Sequence, residues 1–222
     1  FLLYSNTLSH KFTLDDDFFF LKNKAVAKGV ASIGSFFTEG SLEGFSDKQG
    51  LQPYRPVTLV SFAIQKEMTG FKLGPAHFVN VLLFSFLCIL LFNFLLKIFP
   101  RSSVWIPAVI TSLFLFHPVH TEVVASIKSR DELLAALFGV WSLSIFFGNK
   151  LESRSWTRIA CSVILFALAI FSKEGAVALL AIFPLVSLTL CNEKFKKVIV
   201  QLTPFILVTA LFLFMRNNAV GS

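Results

Sequence analysis

Three consecutive aspartates, Asp15, Asp16 and Asp17, stand between Leu14 and the aromatic run Phe18-Phe19-Phe20. Carboxylates crowded this closely raise one another's pKa, which suits a general base or a cation site; the other reading is an acidic turn with an aspartate helix cap. Farther along come His117, Pro118, His120 and Glu122, then Lys128, Arg130, Asp131 and Glu132. Ionisable groups beside long apolar stretches usually face a bundle interior or a water-filled cavity, because facing lipid costs several kcal/mol. Two histidines and an acid are suitable zinc ligands, but the gap interrupted by Pro118 has no recognised metal spacing. The structural alternative is a set of helix caps with an ion pair inside the bundle. Lys173 and Glu174 occupy a turn between apolar runs, and adjacent residues do not share one helix face, so one points to a cavity and the other to the surface. His77 and Asn80, three apart, share one helical face and line the same mouth or bond back to the preceding loop. No cofactor is firmly called for and no metal ligands are assigned; a divalent cation at the acidic triplet stays open.

These residues must be positioned by a membrane protein. Of 222 residues, 55% are hydrophobic and only 15% charged, 28 are Phe, and the mean hydropathy is +0.74. A soluble helical protein would need a polar outer face on nearly every helix, and several windows here have none. Six segments are expected to span or nearly span: Ala76 to Phe99, Val104 to Phe116 with a polar continuation to Ile127, Glu132 to Phe147, Thr157 to Phe171, Ala176 to Leu190, and Val198 to Met215. Residues 1–4 read as the last turn of an earlier span, and both chain ends look cut from a longer protein. Cys88, Cys161 and Cys191 all lie in apolar runs and read as small buried hydrophobes.

The turns alternate in character. Lys97 and Arg101, then Lys150, Arg154 and Arg158, then Lys194, Lys196 and Lys197 mark three basic turns, which the positive-inside rule assigns to the cytoplasm. The candidate chemistry then faces the other side. The net charge of +7 is dispersed over short turns, not gathered into a stripe, so nucleic acid is excluded as a partner and the bilayer is the expected one. Residues 5–75 form a long outer loop, a candidate lid or substrate platform. Within it, residues 56–68 place Val57, Val60, Ile64 and Met68 at helical spacing, too short and polar to span, as in an interfacial helix anchored by Tyr54 and Arg55.

The ordered strings Asp15-Asp16-Asp17, Tyr54-Arg55-Pro56-Val57-Thr58, His77-x-x-Asn80, His117-Pro118-Val119-His120-Thr121-Glu122, Ser129-Arg130-x-Glu132-Leu133 and Ser172-Lys173-Glu174 resemble the transmembrane and tetratricopeptide-repeat protein O-mannosyltransferases and their bacterial relatives. The resemblance implies an all-α integral membrane fold like that of the C-type glycosyltransferases, with a bundle over 76–215. It implies an active site on the periplasmic face of a bacterial inner membrane or the lumenal face of the endoplasmic reticulum. The implied reaction moves a sugar, mannose in eukaryotic members, from a polyprenyl- or dolichyl-phosphate carrier to Ser/Thr hydroxyls of an acceptor protein. Asp16 is then the base with Asp15 its partner, and Glu122 is the next acid in line. Arg55, Arg130 and Lys173 would serve the donor phosphate, while Asp17, His77, Asn80, His117, His120, Glu132 and Glu174 surround the cavity mouth. Many relatives have Gly-Arg-Ala-Asp where this chain has Ser129-Arg130-Asp131-Glu132, and the family's C-terminal repeat domain is expected beyond the cut.

The competing reading is a transporter or flippase for a lipid-linked or anionic solute, with a noncatalytic membrane scaffold as a third. Transporters usually place ionisable residues and broken helices near the midplane. Ala76 to Phe99 carries only Asn93 and Lys97 on its inner half, which favours chemistry at the surface.

Overall fold

A computed structural model describes residues 2–11, 16–41, 53–99, 104–148, 155–189 and 191–221, with the side chains of Asp17 and Phe18 left aside. Its described residues are predominantly α-helical. Leu2–Ser9 is a 3-10 helix, so the expected end of a spanning α-helix at residues 1–4 is described only from Leu2 and is not α-helical there. A π-helical turn, Asp17–Leu21, and a short helix α1, Lys24–Ala27, follow. Asn23 caps α1 by accepting from the Ala25 and Val26 N–H groups, and its Nδ2 donates to the Ser41 carbonyl (2.9 Å), which folds the loop back on itself.

Helix α2, Pro56–Thr69, has proline at its start, where the missing N–H is not needed, and ends at Gly70 with φ 67°, a left-handed position that favours glycine. The stripe expected to meet the interface, Val57, Val60, Ile64 and Met68, is distinct from the face that packs on the protein. Thr58, Leu59, Phe62, Ala63 and Gln65 are buried, while Ile64 and Met68 are exposed. The helix is apolar on two sides: Phe62 packs inward with Phe20, Phe36, Ala76 and Ile127, leaving Ile64 and Met68 facing outward.

Helices α3 (Leu73–Ile98) and α9 (Phe195–Val220), 26 residues each, are the two among the described residues long and apolar enough to cross a membrane. At about 1.5 Å per residue each reaches about 39 Å, against a hydrocarbon core of about 30 Å. Between them lie α4 (Trp105–Phe116), α5 (His120–Ala125), α6 (Arg130–Phe146), α7 (Trp156–Ser172) and α8 (Leu179–Thr189). The second expected span is broken: Pro118 holds His117 extended (φ −67°, ψ 125°), so α4 stops and α5 starts again at His120. The fifth begins not as an α-helix but as the 3-10 helix Glu174–Ala178.

Buried phenylalanines make the core of the bundle, with Phe183 and Phe205 at 4.5 Å between ring centroids and Phe146 beside both. Small residues let the helices approach. Ser142 of α6 and Ser162 of α7 each donate to the other's backbone carbonyl (2.7 and 2.9 Å), and a Cβ on Gly139 would meet Leu179 Cδ1 at 2.8 Å. Outward-facing Phe86, Ile89, Leu113, Ile164, Leu185, Leu207 and Phe214 are exposed, an apolar surface that suits hydrocarbon. Of the cysteines, Cys88 is buried, but Cys161 is on this exposed surface and Cys191 is half-buried.

Candidate functional site

One end of the bundle gathers the N-termini of α2, α3 and α6 and the C-terminus of α7, and most of the charged side chains named above sit there. The deepest is Asp16, fully buried. Its Oδ1 accepts from Lys128 N–H (2.7 Å) and from Ser126 Oγ (3.2 Å), both in the connection between α5 and α6. Asn80 of α3 supports that connection by donating from Nδ2 to the Ser126 carbonyl (2.8 Å). Its Oδ1 in turn accepts from Arg130 Nε (3.0 Å), and Arg130 Nη2 donates to the Ala76 carbonyl (3.2 Å). The Arg130 guanidinium lies 4.6 Å above the centre of the Phe62 ring. Asn80 and Ser126 thus link Arg130 to the carboxylate of Asp16; burial pushes the Arg130 guanidinium down to about 9, and the charge of Asp16 opposes that shift.

Arg130 is 1% exposed, with two nitrogens committed to Asn80 and Ala76. His77, one turn before Asn80, is fully buried with neither ring nitrogen hydrogen-bonded among the described residues, and its ring meets His10 edge-on at 6.3 Å.

Asp131, the next residue after Arg130, points into a second constellation. Arg55 is ion-paired to Asp131 and also donates to Glu174 through Nη2 (3.2 Å) and Nε (3.4 Å). Lys173 is ion-paired to Glu132 beside it. Burial pushes the Arg55 guanidinium down, but the Glu174 hydrogen bond and the nearby carboxylates outweigh it and raise it above its ordinary value. For Glu174, partial burial pushes up, and the Arg55 hydrogen bond, its own backbone and the charges of Arg55 and Arg216 together bring it below the usual carboxylate range. The backbone reinforces the arrangement: Ser41 Oγ accepts from Arg55 N–H (2.8 Å), and Thr58 Oγ1 donates to the Ser172 carbonyl (3.1 Å), fastening α2 to the end of α7. Tyr54 OH donates to the Phe37 carbonyl (2.8 Å), and burial pushes this phenol up to about 12, so it stays a neutral donor.

The histidine string forms a third, separate group. His120 packs at 4.3 Å from Phe114 and 5.4 Å from Phe84, with His117 6.0 Å away, while Glu122 is exposed on α5. Among the described residues no three His, Cys, Asp or Glu side chains are grouped to hold a metal ion. Asp15 lies outside the described residues, as does the side chain of Asp17. Sequence reasoning missed Ser126 and the partnership of Arg55 with Asp131. A signal was present for the second: Asp131 stands among charges at the start of an apolar helix, where an unpaired carboxylate is costly.

Beside Lys173 and Glu132 opens a groove of about 320 Å³, walled by Ala135, Gly139, Val140 and Leu179. Its mouth is charged and its floor apolar.

The sequence aligns with proteins named protein O-mannosyl-transferase. It is 28% identical over 183 residues to human TMTC3, covering 81% of this chain and 20% of that protein. With tmtc2 of Xenopus laevis it shares 32% over 189 residues, 82% of this chain and 22% of the relative, and with Tmtc2 of Drosophila melanogaster 28% over 188 residues, 82% and 20%. No protein-family profile matches the chain, and no solved structure does. The chain spans about a fifth of the length of these curated relatives, and over that part it is their distant, partial homologue.

Proposed function

We propose that this chain carries the catalytic end of a membrane glycosyltransferase that moves a sugar, with mannose the first choice, from a polyprenyl-phosphate carrier to an acceptor protein hydroxyl on the non-cytoplasmic side. The observation that carries the reading is the pairing of two unlike sites on adjacent residues of α6. Arg130 is linked through Asn80 to the connection that holds a buried carboxylate, and Asp131 holds Arg55, whose other partner Glu174 adjoins the Lys173 that lines an apolar groove. The kinship with proteins named O-mannosyl-transferases supports it.

In this reading the acceptor oxygen attacks the anomeric carbon, its proton passes to Asp16, and the bond to the donor phosphate breaks with its electron pair on the phosphate oxygen. Arg55 and Lys173 meet that phosphate by exchanging Glu174 and Glu132 for it. An arginine fork matches two phosphate oxygens and stays charged under partial burial. Arg130 acts through Asp16 as a positioning residue. His77 and Asn80 border the carboxylate, and Asp15 and Asp17 flank it in the chain. His117 at the end of α4 and His120 and Glu122 on α5 stand at the rim, and no step is routed through a metal ion.

The test is transfer from a mannosyl polyprenyl phosphate to acceptor peptides by the full-length protein. Asp16→Asn should lower turnover by about 10²- to 10⁴-fold while donor binding persists. Undiminished transfer would remove Asp16 as the base and leave Glu122 as the next acid to replace.

A further inference from the structure

The opposite end of the bundle carries a second concavity, of about 420 Å³, between the N-termini of α7 and α9. It is lined by Trp156 and Ile159 from α7 and by Lys196, Lys197, Val200 and Gln201 from α9. The composition changes with depth: the two ammonium groups sit in the first turn of α9, Gln201 and Ile159 are buried within, and Val200 and Trp156 are exposed on the flank. Lys197 shares its charge with Glu193 (2.8 Å), whereas Lys196 has no ion pair among the described residues. Lys194, the N-cap of α9, offers no side-chain acceptor to the first turn, so the positive end of the helix adds to the lysine charge.

We infer that this cavity binds an anionic phospholipid of the cytoplasmic leaflet, with its phosphodiester at Lys196 and Lys197 and an acyl chain along Val200 and Trp156. Basic turns face the cytoplasm, and that leaflet is negatively charged; basic pockets between spanning helices on that side take anionic head groups. The shape fits an amphiphile better than a free anion. A phosphate ion would use only the lysines, but the cavity wall also carries the exposed apolar side chains Val200 and Trp156, and Ile199 of α9 and Ile164 of α7 are exposed as well. Trp156, broad and amphipathic, belongs at head-group depth. Such a lipid would lie across α7 and α9, which also meet through Phe166 and Phe205 (5.4 Å).

The full-length protein in phosphatidylcholine nanodiscs tests this, with a minor fraction of the lipid brominated as either phosphatidylglycerol or phosphatidylcholine. The readout is the fluorescence quenching assigned to Trp156 by difference from Trp156→Phe. Each lysine near the surface is worth about fivefold in anionic-lipid affinity, so a preference of about 5- to 25-fold for phosphatidylglycerol is expected. Lys196→Gln with Lys197→Gln should abolish the preference, and Lys194→Gln, outside the cavity, should lower it by less than the double substitution does. Equal quenching by the two lipids in the unaltered protein overturns the inference without any variant. So does a preference that survives the double substitution, or one lost equally in Lys194→Gln, which would mean diffuse surface charge. Displacement of the phosphatidylglycerol signal by inorganic phosphate would instead make this a site for the free anion.

Discussion

At the scale of single residues, Arg55 is a side chain whose loss should be felt twice. Asp131 is almost fully enclosed and is ion-paired to Arg55, so Arg55→Ala leaves a buried carboxylate unpaired, at a cost of about 3–5 kcal/mol. Thermal unfolding in detergent should show the loss, and Arg55→Ala combined with Asp131→Asn should recover most of it. Glu174 makes the same cluster sensitive to acid. Its folded pKa lies below the unfolded value of 4.5, so its contribution is present above about pH 4.5 and disappears as pH falls through the lower folded value. Glu174→Gln should therefore lower the melting temperature at neutral pH and converge with the unaltered protein below about pH 4.5, flattening the acid fall. Arg130→Ala should destabilise as well, because it frees Asn80 and removes the counter-charge facing Asp16. The sequence made each of these residue types visible but not their pairing: Arg55 meets Asp131 and Glu174 only because α2 folds back onto the start of α6 and the end of α7. That return depends on Ser41, Asn23 and Thr58, whose polar side chains carry no distinguishing pattern.

At the scale of elements, hydrophobic runs located the helices well, since α3, α6, α7 and α9 begin and end near the boundaries that apolar length suggests. What the runs could not express was local backbone chemistry. Pro118 separates α4 from α5, and the turn after Lys173 winds as a 3-10 helix before α8 begins. The buried side of α2 was also illegible, because apolar residues occupy two of its faces and only the position of Phe20 and Arg130 decides which one turns inward. Where α6 meets α7, size matters more than polarity. Ser142→Leu would force a larger side chain into a contact made by two serines and should cost about 1–3 kcal/mol by overpacking. Ser142→Ala, which only removes hydrogen bonds, should cost about 0.5–1.5 kcal/mol, so unfolding of the two variants separates the effects.

Across the described residues, the two ends differ in charge, carboxylates with paired cations at one and a lysine-rich turn, Lys194, Lys196 and Lys197, at the other. Single cysteines at Ser35 and Lys194 should react with a membrane-impermeant reagent from opposite sides; labelling from one side only would remove the topology on which the proposed chemistry stands. The Glu132–Lys173 ion pair, finally, bears on how such a chain enters the bilayer. It joins the open ends of two successive helices, α6 and α7, whose middles are already fastened by Ser142 and Ser162. Neither 17-residue helix is long for a solitary crossing, and α6 leads with three charges. The expected outcome is that α6 and α7 leave the translocon together as a hairpin, so that a reporter placed after α6 alone shows poor insertion and the addition of α7 restores it.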